Sequence, residues 1–171
     1  MNTEQASAAG EVLTALWELE FPATARVLSA VKDDTRDYTP HPKSRTAWDL
    51  ATHIAMADIW FIDSIVAGHF QWNPDAAKQA QEKFRGIGDV VRFYEDAFPA
   101  RLAKLRALSG AELAESLDFF GRMQMSRAQW IGFATHHSVH HRGQLSAYLR
   151  ALGSRVPDIY GPSADAEPVT A

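Results

Sequence analysis

The run THHSVHHRGQL, Thr135 to Leu145, holds four of the seven histidines in the chain. Imidazole both titrates near neutral pH and binds transition metals. Two histidines spaced i, i+4 on a helix direct their rings from one face toward a common point. The run contains two such pairs, His136 with His140 and His137 with His141. A helical wheel separates them. With His137 as the zero direction and about 100° per residue, Trp130 and Tyr148 fall within about 20°, Ala134 and Leu152 about 60° and Leu145 about 80° away. His141 lies about 40° away within that arc, whereas His140 lies about 60° to the other side and His136 about 100° away. The inward pair is therefore His137 and His141, and the other two belong to the edge or to solvent.

A third inward histidine comes from a different segment. Around His53, Trp60 and Ser64 fall within about 20°, Ala57 about 40°, Leu50 about 60° and Phe61 about 80°. A single histidine on an apolar face is usually a hydrogen-bonded core residue. Three on two helices of one bundle invite another reading, because a shared metal satisfies three buried imidazoles at once. The chain has no cysteine. Zinc-finger, iron–sulfur and disulfide chemistry are excluded, and any metal must take nitrogen and oxygen ligands, which suit Zn, Ni, Fe, Mn or Cu. Any thiol chemistry would use a thiol brought by the substrate.

No general base stands out near this trio. Asp49, Asp58 and Asp63 are less central than His53; Asp58 and Asp63 project about 140° and −80° from it. Arg142 points about 100° from its neighbour His141, toward a helix–helix or subunit contact. Gln144 falls about 20° from His137, nearly two turns on, and could hydrogen-bond a ligand. Tyr160 and Asp165 could fold back over the pocket or lie in an ordinary surface tail. His41 and His69 sit in or beside loops, where solvation accounts for them. Five tryptophans in a small bundle read mostly as core, but Trp60 and Trp130 sit one or two turns from the proposed ligands.

The elements that must position these residues follow from periodicity and punctuation. A first helix is predicted over Thr3–Val31, with Val12, Leu13, Leu16, Trp17, Phe21, Leu28 and Val31 as its stripe and a kink or break at Pro22. Asp33 to Arg45 reads as a loop. A second helix starts after Ser44 as N-cap and ends near Gly68, followed by a polar loop through Asn73 and Pro74. A third runs from about Asp89 to Leu108 on Val91, Tyr94, Phe98, Leu102 and Leu105, bends at Pro99, and is ended by Ser109-Gly110. Leu117 to Met125 reads as irregular or strand-like. A fourth helix begins at Ser126 as N-cap and reaches Leu152, with Gly153 beyond its end. The tail carries Pro157, Gly161, Pro162 and Pro168 and reads as irregular. The expected fold is all-α, a four-helix bundle formed by residues 1–171 as one domain.

Composition sets the outer limits. Hydrophobic residues make up 46% and charged residues 22%, as in an ordinary soluble globular protein. The net charge of −4, with Lys and Arg scattered, argues against nucleic acid. The N-terminus shows no signal-peptide pattern, and no uninterrupted apolar run approaches the roughly 20 residues of a membrane span. No membrane partner is expected, and the expected location is cytoplasmic.

With these motifs in place, the chain resembles the DinB/YfiT-like metalloenzyme family. The resemblance is carried by WDLATHIAMADIWF around His53, by HSVHHRGQLSAYLRALG from His137 to Gly153, and by VPDIYGPSAD from Val156 to Asp165. It implies a four-helix bundle, often a homodimer, with a divalent metal held by His53, His137 and His141. It further implies a thiol-dependent transferase or isomerase that uses a low-molecular-weight cellular thiol. A metal-dependent hydrolase is the alternative within the enzymes, and a non-catalytic metal-stabilised structural or binding protein the alternative outside them. Zn, Ni or Fe would suit the three imidazoles. No catalytic residue beyond the ligands is singled out, and the roles of His136, His140, Gln144, Tyr160 and Asp165 are left open.

Overall fold

The computed structural model describes residues 1–166; Pro168 lies outside them. Four long helices form the bundle: α1 (Thr3–Ser29), α2 (Ala47–Ala67), α4 (Ile87–Arg106) and α6 (Arg127–Ala151). Two short helices, α3 (Pro74–Gln81) and α5 (Gly110–Ala114), and a hairpin of β1 (Ser116–Phe119) and β2 (Met123–Ser126) complete the described residues. Helix α1 packs on α4 and α6, and α2 packs on the same two, so α1 and α2 face each other across the diagonal.

The helix starts are written in side chains. Asn2, Thr46, Ser109 and Ser126 each form a capping box with the residue three positions on. The cap of α2 is Thr46 rather than Ser44. Thr46 Oγ1 accepts from the Asp49 amide at 3.0 Å, and the Asp49 carboxylate accepts from the Thr46 amide at 3.3 Å. That choice leaves Arg45 outside the helix. At the other end Gly68 takes φ 81°, and Arg127 of α6 donates to the Ile65 and Val66 carbonyls left free there. A Cβ at Gly68 would lie 2.5 Å from that guanidinium, so both the turn and the close approach require glycine.

Three sequence expectations need correction. First, α1 is not broken at Pro22 but runs through it. Its buried face is Ala6, Gly10, Thr14, Trp17, Thr24 and Leu28, while Val12 and Leu16 are 58% and 48% exposed. Small residues mark this face because α5 closes on it: a Cβ at Gly10 would meet Leu113 at 2.6 Å. Second, the loop after α2 contains a helix, α3, which Asn73 caps with Pro74 at its first position. Likewise Ser109, expected to end α4, starts α5. Third, α2 is long and apolar enough to cross a membrane by length and composition, with mean hydropathy 1.4. Most of it is instead buried against α4 and α6.

The hairpin contains the one bulky residue with a positive φ among those described. Phe120 has φ 55° and Gly121 φ 71°, and the Arg122 amide closes the turn on the Phe119 carbonyl at 3.0 Å. A phenylalanine in the left-handed region is strained, whereas asparagine tolerates it and is favoured ahead of glycine in such turns. Phe120→Asn is therefore expected to stabilise the chain by about 1 kcal/mol, read as a raised urea midpoint at unchanged slope.

Candidate metal centre

His53 on α2 and His137 and His141 on α6 are half-buried where the two helices meet, at the border of the core rather than at the centre of its faces as expected; on α6 the fully buried positions are Ser138 and Arg142. The His53 and His137 Nε2 atoms stand 3.2 Å apart. The ring centroids are 5.0 Å apart for His53–His137, 4.6 Å for His53–His141 and 4.5 Å for His137–His141. One nitrogen from each ring lies within 4.8 Å of the other two, and the three side chains are half-buried. Among the described residues this is the one such cluster of histidines and carboxylates. Metal–nitrogen bonds of about 2.0–2.1 Å in a tetrahedral arrangement place donor atoms about 3.3 Å apart, so the donor set fits a small divalent ion. His141 Nδ1 lies 2.8 Å from Gln144 Oε1. Donation from Nδ1 to that oxygen leaves the Nε2 lone pair free to ligate. His136 and His140 are exposed, although the His140 ring rests against His141 at 4.9 Å.

The environment keeps the rings neutral. Burial lowers the His53 pKa to about 3, helped by the Arg45 guanidinium and the other two rings. Burial lowers His137 to about 4, with His141, His140 and Arg45 adding to it. His141 is lowered by burial and partly restored by Gln144. Neutral imidazole is the ligating form.

The rotation of α6 that aims these rings is set by its opposite side. Ser138 and Arg142 repeat the i, i+4 spacing of His137 and His141 one position later, so they point into the core. Ser138 Oγ and Tyr94 Oη each donate to Asp58 Oδ2 at 2.9 Å. Asp58 is fully buried, and burial raises its pKa to about 7 against the pull of Ser138, Tyr94 and the Trp17 indole. Arg142, 1% exposed, pairs with Glu20 at 2.6 Å and donates to the Glu20 carbonyl and to Thr24 Oγ1 on α1. Asp58, expected to be peripheral, is thus a core residue facing away from the histidines. The signal was an acid within an otherwise apolar helix face.

The tail does fold back, but not over the histidines. Tyr160 Oη lies 2.6 Å from Arg142 and donates to Glu20 at 2.9 Å, and Asp165 pairs with Arg150 and accepts from the Val156 amide. The tail therefore covers the α1–α6 side of the bundle.

His53 and His137 instead line a cavity of about 1160 Å³ enclosed by α2, the segment carrying α3, and the hairpin. Its wall is aromatic, with Trp60, Phe70, Trp72, Phe119, Phe120 and Phe133. Trp60 is held by its indole N–H on the Gln71 carbonyl at 2.8 Å, and α3 is tied to α2 by Gln81 donating to Thr52 at 3.0 Å. Trp130 is buried behind this wall against Phe70, Phe119 and Phe133. Arg45, Asp49 and Lys78 are the charged lining residues. Sequence reasoning missed Arg45, because a basic residue in a loop has no periodicity to place it.

A half-buried three-histidine cluster at the wall of an aromatic cavity, with no fourth histidine or carboxylate in the cluster among the described residues, defines a helical-bundle protein with an open metal-type centre. The DinB family profile matches residues 1–168, and the chain belongs to the DinB family. It is 30% identical over 152 residues to the uncharacterized protein YrdA of Bacillus subtilis (strain 168), covering 86% of this chain and 85% of that one. A DinB-like protein from Bacillus cereus superposes with a TM-score of 0.70 at 23% identity over 88% of this chain and 97% of its own. YfiT from Bacillus subtilis, described as a probable metal-dependent hydrolase with an unusual four-helix bundle topology, gives 0.67 at 15% identity over 90% of each chain.

The lowered imidazole pKa values set a pH dependence. A depressed folded-state pKa contributes stability that is fully present above about pH 6.5 and lost as pH falls toward 4. Metal-free protein is expected to lose unfolding free energy over that window in urea titrations, and His53→Gln with His137→Gln to flatten the loss. Asp58 acts with the opposite sign. Its raised pKa contributes stability below about pH 4 that is lost as pH rises through about 7. Asp58→Asn should therefore compare more favourably with the parent at pH 8 than at pH 5.

Proposed function

We propose that the chain is a divalent-metal-dependent enzyme that transfers or isomerises through a small thiol supplied with the substrate. The observation that carries this reading is the open side of the cluster. All three donors are neutral imidazoles, the cluster contains no fourth histidine or carboxylate among the described residues, and two of the rings line a cavity large enough for a substrate. A structural metal site is ordinarily closed by four protein ligands, so the geometry favours the catalytic class over the structural one.

His53, His137 and His141 would hold the ion, and Gln144 fixes the His141 tautomer. Zn, Ni or Fe suits this nitrogen set. When bound, such an ion supplies positive charge undiminished by anionic ligands, which favours the thiolate over the thiol. The aromatic wall offers an apolar surface beside the rings. The thiol's proton would pass to solvent, and among the described residues the cluster holds no carboxylate to take it. The chain's own lack of cysteine means the thiol must come from outside.

A hydrolase is the second reading. YfiT's description favours it, with Asp49 of the cavity wall, one turn before His53 and bound through one carboxylate oxygen to the Thr46 amide, as the nearest carboxylate along α2. A homodimer and a cytoplasmic location remain part of the proposal.

Elemental analysis of protein purified without a metal-affinity tag tests the centre. The parent and His136→Ala are expected to carry about one ion per chain, and His137→Ala and His141→Ala to lose it; equal content in all four would remove the proposed ligand set. Thiol consumption with an electrophile, abolished by chelation and restored by Zn, would then support transfer over hydrolysis.

A further inference from the structure

Arg45 is exposed at the mouth of the cavity, and its guanidinium has no carboxylate partner among the described residues. It lines the same cavity as His53 and His137. Asp49, the acidic residue of the lining, already accepts from the Thr46 amide at the start of α2. Lys78 lies within 4.0 Å of Glu82 on its own helix. Among the described residues Arg45 is thus the unmatched cation of the cavity that His53 and His137 also line.

The aromatic wall is incompletely covered. Trp72 and Phe120 line the cavity yet remain 57% and 49% exposed. Phe120 is held at that edge by a backbone conformation its side chain disfavours, which marks a position kept for contact rather than for the turn. Large aromatics left open to water on a concave wall are the usual lining of a small-molecule site, with a few polar groups fixing orientation.

We propose that the substrate is an amphipathic acid. Its carboxylate is held by Arg45 beside the three imidazoles, and its aromatic body lies along Trp60, Trp72, Phe119 and Phe120. A volume of about 1160 Å³ accommodates more than one ring. Arg45 is then the specificity-determining residue, since an Arg fork suits a carboxylate and rewards its charge. The inference rests on the metal-centre reading for where the reacting end lies, but it places the carboxylate on Arg45 and not on the ion.

The test is titration of biphenyl-4-acetate, its neutral amide and acetate into the full chain, zinc-loaded and chelator-stripped, followed by calorimetry and tryptophan fluorescence. Circular dichroism checks the fold of each form. The acid is expected to bind at least tenfold more tightly than the amide in both forms, and acetate not detectably. Arg45→Gln should abolish the preference for the acid while keeping the affinity for the amide. Phe120→Asn should weaken acid and amide alike. Equal binding of acid and amide, no binding of the acid to folded protein, or an acid preference that vanishes with zinc would each overturn the proposal. Zinc binding is read in the same samples. Zinc uptake without acid binding removes this inference and leaves the metal centre; an Arg45-dependent acid preference without zinc uptake does the reverse.

Discussion

The centre depends on a polar interaction buried on the far side of α6. Helix α6 presents two interleaved i, i+4 pairs, Ser138 with Arg142 and His137 with His141. The first pair is anchored by Asp58 on α2 and by Glu20 and Thr24 on α1. A helix packed only by apolar side chains can rotate by a fraction of a turn at modest cost, since such contacts are non-directional. Hydrogen bonds are directional, and breaking one in the core exposes the full desolvation cost of the orphaned group. Asp58 and Arg142 therefore hold the rotation of α6, and the histidines inherit it. Burying these charges need not add net stability; their contribution here is the alignment of two rings on α6 with a third on α2.

The same economy governs the ionisation of the site. Half-burial lowers the histidine pKa values enough to keep the rings neutral at physiological pH, while the open side leaves access from the cavity. Complete burial would close that access, and complete exposure would let the rings protonate in mild acid. Arg45 reinforces the neutral state from outside. The tail serves the opposite face. Tyr160 covers the buried Arg142–Glu20 pair and Asp165 holds Arg150 further along α6, so the VPDIYGPSAD segment secures the alignment of α6 without approaching the histidines.

Much of the site was legible in the chain because helical periodicity is local. The rise and twist of a helix turn residue spacing into direction, so His137 and His141 separate from His136 and His140 without reference to any other element. The caps at Ser126 and beyond Leu152, the buried face of α4 and the strand-like LDFFGRMQM were legible on the same ground. The errors arose where a neighbour decided. Val12 and Leu16 looked like core until α5 selected the face with Gly10; Ser44 looked like a cap until Thr46 formed the box with Asp49; the polar stretch after Gly68 looked like a loop until Gln81 tied it to Thr52 as α3.

The sequence by itself determined which histidines could converge, because side-chain direction along a helix is a property of the helix. It also determined the chemistry open to them, since without cysteine the ligands are nitrogen and oxygen. Only the tertiary structure decided that His53 meets that pair, that Asp58 and Arg142 lock it, and that Arg45 and an aromatic wall adjoin it. Those are relations between elements far apart in the chain, and only packing brings such elements into contact.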